Sequence, residues 1–251
     1  MAKITNRDVL QYLDSRAPFS TAEEWDSVGL LIGGEDATVS RMLVALDVTP
    51  AVLAAAKATG AELIVTHHPV IFRPLPRLDS HSLPYQAAAA GISVISAHTN
   101  LDKAAGGVND TLAARLRLQQ VRPVGADGLC RIGTLAETMP VAVFARHTAG
   151  ALGTAVRMAG EGSVRTVAVC GGSGGDYIPA LAGQADAFVT GEVRHHEWLL
   201  AAGLDLAVLE AGHYATEVPV VDTLCHWLRG AFAGLVIEPF NGGEPYKTLQ
   251  A

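Results

Sequence analysis

Cysteine is scarce in this chain: Cys130, Cys170 and Cys225 are scattered, and none belongs to a C-x-x-C pair. That excludes a disulfide framework and a thiolate metal site, and it points to a reducing compartment, the cytoplasm. Basic charge is also in deficit, with 18 Lys and Arg against 25 Asp and Glu and a net charge of −7. General nucleic-acid binding, which rests on clustered Lys and Arg, is not expected. A small phosphorylated substrate met by local arginines, such as Arg73, Arg77 or Arg194, stays compatible. Long apolar runs are missing although the mean hydropathy is +0.27. Each run is strand-sized and broken by Gly, Asp or His, far short of the roughly 18 apolar residues of a membrane helix. The first residues, MAKITNRDVLQYLDSRAP, are charged and amphipathic, unlike a secretory signal. The glycine-rich stretch Gly171-Gly172-Ser173-Gly174-Gly175-Asp176 has no G-K-[ST] ending and is not a Walker loop.

What is present is a globular composition, 49% hydrophobic and 17% charged over 251 residues, enough for one large or two modest domains. Strand-like apolar runs alternate with helical segments, which predicts an α/β class. Strands are expected over 41–47, 62–66, 92–97, 164–170, 187–190 and 206–209. Helices are expected over 5–16, 49–59, 84–90, 109–117 and 178–182, with one more running through Ala202. The segments VALDVTPAVLAAAKATGAELIVTHHP and VAVCGGSGGDYIPALAGQADAFVTGEVRHHE share an order of strand, loop, helix, strand and histidine pair. Each is followed by a helix and a strand ending near a histidine, His98 or His213. This predicts an internal duplication, with residues 1–121 as the first α/β repeat and 122–251 as the second.

The chemistry gathers at predicted strand ends. His67 and His68 close the run ELIVTHHP, His98 and Asp102 lie in HTNLD, and His213 and Glu217 lie in GHYATE. The carboxyl ends of strands are where open α/β sheets place ligands. Within a continuing strand the two adjacent imidazoles would diverge, but at its end both can serve one site or two neighbouring ions. His213 and Glu217 share a face if a helix starts there. A set of His67, His68, Asp102, His213 and Glu217 is too large for one tetrahedral ion with an open position. It suits two divalent ions, Zn, Fe, Mn or Co, sharing carboxylates at about 3.5–4 Å separation. His98 can ligate, orient Asp102 or cap the turn. Asp26 and Asn100 are candidates for holding ligands in place. His81, His147 and His226 read as surface or packing residues. The GGSGGD loop fits a phosphate cradle of backbone N–H groups or a tight strand-to-helix turn equally well.

HHP after a strand, HTNLD, GHYATE and the early WDSVGLLIGG together resemble the Nif-three-like dinuclear metal-centre proteins, catalogued as GTP cyclohydrolase 1 type 2 homologues. The resemblance spans essentially the whole chain in its short form. It implies two intertwined α/β repeats with mixed sheets and a ring-shaped homohexamer. It also places two metal ions on His67, His68, Asp102, His213 and Glu217, five positions that match in type and order. His195 and His196 resemble the family's second histidine pair, with an acid/base, substrate-contacting or helix-start packing role. The activity implied is metal-dependent hydrolytic opening of the guanine imidazole ring of GTP with formate release. Hydrolysis of a phosphoester or nucleotide, or a non-catalytic metal-binding scaffold, would use the same ligands.

Overall fold

Local chemistry starts the first helix. In the computed structural model, which describes residues 3–247, Thr5 caps α1 (Asn6–Arg16). Its hydroxyl accepts from the Asp8 N–H, and the Asp8 carboxylate accepts in turn from the Thr5 N–H. β1 (Gly29–Ile32) and β2 (Arg41–Ala45) follow. Thr49 then caps α2 (Pro50–Thr59), whose proline sits in the first turn, where no N–H is needed. β3 (Leu63–Thr66), α3 (Leu83–Ala89), β4 (Ser93–Ser96) and the five-residue α4 (Thr99–Lys103) complete this run.

The chain continues through α5 (Val108–Arg115), β5 (Gln119–Val124), β6 (Cys130–Pro140), α6 (Val141–Leu152), β7 (Arg157–Ala159) and β8 (Ser163–Cys170). Next come α7 (Ile178–Leu181), β9 (Ala187–Thr190), α8 (His195–Ala202), β10 (Ala207–Glu210) and α9 (His213–Glu217). It ends with α10 (Pro219–Ala231) and β11 (Val236–Phe240). No helix among the described residues is long and apolar enough to cross a membrane.

Residues 3–105 together with 220–243 form one compact unit, and residues 106–219 with 244–247 form another. The division at 121/122 read from the sequence falls inside the second unit. The reason is α5, which carries Leu112, Ala113 and Leu116 into a core shared with Val167, Val189 and Leu209.

In the first unit the sheet order is β1-β4-β3-β2-β11, parallel except for β1, which runs antiparallel to β4. β3 and β4 are buried along their whole length, as parallel strands covered on both faces require. One face packs on α2 through Val52, Leu53 and Ala56. α10 lies against α1: the Tyr12 hydroxyl donates to the Trp227 carbonyl, and the Arg16 guanidinium sits over the Trp227 ring.

In the second unit the order is β5-β6-β8-β9-β10-β7, with β8, β9 and β10 parallel and the outer pairings antiparallel. The period of two divides its strands cleanly. Val167, Val169 and Val189 face α5 and α6, whereas Ala168, Cys170 and Phe188 face α7 and α8.

Both units are built on one plan. α1-β1-β2-α2-β3-α3-β4-α4 is matched element for element by α6-β7-β8-α7-β9-α8-β10-α9. In each, the opening strand lies antiparallel beside the last of three parallel strands. The fold is thus α/β with two mixed sheets and a repeated topology.

Candidate metal centre

Three parallel strands of the first unit deliver polar side chains at their carboxyl ends: Asp47 after β2, His67 and His68 after β3, and His98 after β4. Asp26 arrives from the opposite direction. Because β1 is antiparallel to β4 with Gly29 opposite Ser96, the residues just before β1 lie beside those just after β4. One donor atom from each of His67, His68 and His98 lies within 4.8 Å of the other two.

Each of these imidazoles has its Nδ1 on an oxygen. His67 Nδ1 is 2.9 Å from the Ala97 carbonyl, His68 Nδ1 is 2.7 Å from Asp47 Oδ1, and His98 Nδ1 is 2.8 Å from Asp26 Oδ1. A carbonyl or carboxylate accepts here, so Nδ1 carries the proton and Nε2 presents its lone pair. Metal-ligating histidines are oriented in this way. Asp102, buried on α4, places Oδ1 3.7 Å from His67 Nε2. That exceeds hydrogen-bond length and is close to the roughly 3.4 Å between two ligands on one tetrahedral ion with bonds of about 2.1 Å.

Asp26 is the most firmly held of the supporting groups. Burial works against its charge, but hydrogen bonds from His98 and from the Thr99 hydroxyl and N–H outweigh it. The carboxyl is therefore held well below the usual carboxylate range. It stays ionised and keeps the His98 proton on Nδ1. Asn100 acts elsewhere: its amide donates to the Ala17 carbonyl and fixes the end of α1. His98 is the N-cap residue of α4 but makes no side-chain cap bond, so capping is not its role.

The second unit presents its own ligand pair. His213 and Glu217 bracket α9, and His213 Nε2 lies 3.1 Å from Glu217 Oε2, the i, i+4 arrangement. His213 Nδ1 is 3.0 Å from Glu192 Oε1. Burial opposes the charge on Glu192, yet the Ser173 hydroxyl and the His213 imidazole lower its pKa. Glu192 and Asp47 are the supporting residues that motif reading misses. Their signal is only a carboxylate two positions beyond a strand end, at Ala45 or Thr190.

The GGSGGD loop resolves in favour of the tight turn. The N–H groups of Gly171, Gly172 and Gly174 already donate to Asn109 Oδ1, Thr216 Oγ1 and Thr190 Oγ1. Gly172, at φ +63°, is needed as glycine twice over, because a Cβ there would stand 2.3 Å from Glu217 Oε1. Its carbonyl accepts from the N–H groups of both Gly191 and Glu192.

Sheet register corrects the pairing of histidines between the repeats. Thr66 lies opposite Ser96, and Thr190 lies opposite Glu210. The counterparts of His67 and His68 are therefore Gly191 and Glu192. A side chain at Gly191 would meet His213 Cα at 2.7 Å, so the second repeat has no room for an imidazole there. His195 and His196 lie four residues further on, exposed in the first turn of α8. Among the described residues they join no metal-ligating group. Arg194, just before them, is tied to Glu197 and Asp176.

A family model described as Duf34/NIF3 (NGG1p interacting factor 3) matches residues 4–240. A Streptomyces coelicolor protein named GTP cyclohydrolase 1 type 2 homolog is 38% identical over 231 residues, spanning 84% of this chain and 81% of its own. NIF3-like protein 1 of Drosophila melanogaster is 32% identical over 233 residues, 86% of this chain and 79% of its own. Among solved structures, a Staphylococcus aureus hypothetical protein superposes with a TM-score of 0.91 at 27% identity. It covers 99% of this chain and 100% of that one.

Proposed function

The chain belongs to the Duf34/NIF3 family, and from that premise we propose that it is a hydrolase working with two divalent ions. Their ligands are His67, His68, Asp102, His213 and Glu217. The observation that carries the proposal is the set of three first-unit imidazoles, each with Nδ1 on an oxygen and each offering one donor atom within 4.8 Å of the other two. Gathering three imidazoles at one point, with His67 fully buried, is costly without a ligand. His213 and Glu217, 3.1 Å apart in the second unit, are the imidazole and carboxylate that the proposal adds to these. His/Asp/Glu ligands accept Zn, Fe, Mn or Co.

When bound, such ions polarise an oxygen or carbonyl-like centre and lower the pKa of water towards 7. The chain's own residues supply orientation. Asp26 and Asp47 fix His98 and His68, and Gly172 lets the GGSGGD loop close on Glu217. His195 and His196, in the first turn of α8, are the proposed proton relay. The proposed reaction is hydrolytic opening of the guanine imidazole ring of GTP with release of formate, supported by the name the Streptomyces relative carries. A homohexameric ring and a cytoplasmic location belong to the same proposal. Three buried free cysteines support the location.

Incubating metal-loaded protein with GTP and following formate by mass spectrometry tests the reaction. Metal-dependent formate that disappears in His67→Ala is the expected result. Release of inorganic phosphate instead would move the cleaved bond from carbon to phosphorus. Full metal occupancy with no turnover of any nucleotide would leave a non-catalytic scaffold.

A further inference from the structure

Two large aromatic side chains stand in solvent beside the histidine cluster, and nothing in the metal chemistry uses them. Trp25 is 59% exposed and Phe72 46% exposed. Their rings lie 5.7 Å apart at a tilt of 58°. Each also meets the His98 ring edge-on, at 6.1 Å and 74°. Three rings from three separate segments thus form an open corner, and its imidazole wall belongs to the His67–His68–His98 donor group.

The corner is held in place before any ligand arrives. Asp26, adjacent to Trp25, is anchored by its buried carboxylate to His98 and Thr99, and its N–H donates to the Glu23 carbonyl. Phe72 follows Pro69 by three residues, in the loop that leaves the histidine pair. Aromatic faces prefer offset or edge contacts with a further ring at about 4.5–7 Å. Exposed apolar side chains grouped beside polar residues mark ligand-binding or interaction surfaces.

The geometry points to Trp25 and Phe72 as a stacking platform that binds the planar heteroaromatic ring of a nucleobase-like ligand against the His98 wall. The inference takes its location from the proposed metal site, but ring binding is separable from turnover. Three features favour a small ring over another protein surface: the corner has three walls, it is pinned through Asp26, and its inner wall is an imidazole of the donor group.

The test uses the full-length, metal-loaded protein titrated with GMP and with ribose 5-phosphate, which carries the same phosphate without the base. Binding is read by calorimetry and by tryptophan fluorescence, with Trp25→Phe identifying the signal of Trp25 among the three tryptophans. GMP should quench Trp25 and bind about tenfold or more tighter than ribose 5-phosphate, the effect of one base–aromatic stack. Trp25→Ala and Phe72→Leu should each weaken GMP binding about tenfold while leaving metal content and ribose 5-phosphate binding unchanged. Equal affinity for the two ligands, no binding of either, or wild-type GMP affinity in both variants would overturn the proposal. So would a change of assembly mass in the variants at constant GMP affinity, since the corner would then be a contact between copies. Failure of GTP to yield formate would overturn the proposed reaction and leave the platform standing.

Discussion

Each imidazole of the His67–His68–His98 group has its Nδ1 on an oxygen, so its tautomer is set by the protein. Asp47 is the most accessible place to test this, because its side chain is 45% exposed and replacing it leaves no buried hole. Asp47→Ala should keep the fold and weaken metal binding about 10–100-fold, the usual effect of removing a ligand's orienting partner. A chelator competition showing wild-type affinity would refute the orienting role. Gly172 makes a sharper prediction in the second unit. Gly172→Ala forces a left-handed backbone on a residue with a Cβ and drives that Cβ into the Glu217 carboxylate. A loss of about 1–3 kcal/mol in stability is expected from such strain, read as a lowered denaturant midpoint; an unchanged midpoint would mean that the loop relaxes freely. His67, His68, His98 and Asp102 are legible in the sequence because each lies just beyond an apolar run. Asp47 and Glu192 are not, because their partners come from the neighbouring strand and its connection, and no local spacing records strand order.

At the scale of elements, Glu62 joins two strands through their ends. Its carboxylate accepts from the N–H groups of Ser40 and Arg41 at 3.0 and 2.8 Å and from the Ser40 hydroxyl at 2.7 Å. Burial opposes its charge, but these hydrogen bonds lower its pKa below the ordinary glutamate value. A depressed folded-state pKa means the stabilisation is present above the unfolded value, about 4.3 for glutamate, and is lost as pH falls through the folded one. Glu62→Gln should therefore be less stable than wild type at pH 7, and the gap should close on acidification. Parallel thermal melts showing a constant gap down to strong acid would contradict this.

Elements with a cap or an unbroken apolar run are legible: Thr5 before α1, Thr49-Pro50 before α2, and the fully buried β3, β4 and β9. β6 is not, because its burial changes from continuous to mostly exposed along its length, so no single period describes it. α6 starts directly at the end of β6 without a side-chain cap. α10 was within reach: Val220, Val221, Leu224, Cys225, Trp227 and Leu228 recur on one helical face.

At the scale of the molecule, the repeat was legible as a duplicated strand–helix–strand grammar, but its boundary was not. α5 joins the second core by packing, and α10 and β11 return to the first sheet by pairing with β2; neither event leaves a linker in the sequence. The duplication explains how the proposed ligands are divided between the repeats. The first repeat has room for two imidazoles after its second parallel strand, whereas the second repeat has glycine there and places its histidine after the third. A six-chain ring, part of the proposed function, predicts by light scattering a particle about six times the 26.1 kDa chain mass; a stable monomer at micromolar concentration would reject it.

Everything proposed for this molecule depends on these side chains holding divalent metal. The most direct test is elemental analysis of protein loaded with zinc, iron, manganese or cobalt and then dialysed, with circular dichroism confirming that each variant is folded. About two ions per chain are expected in the wild type, and at least one fewer in His68→Ala and in Glu217→Gln. A wild-type protein that retains no metal, or folded variants that retain as much as it does, would contradict this.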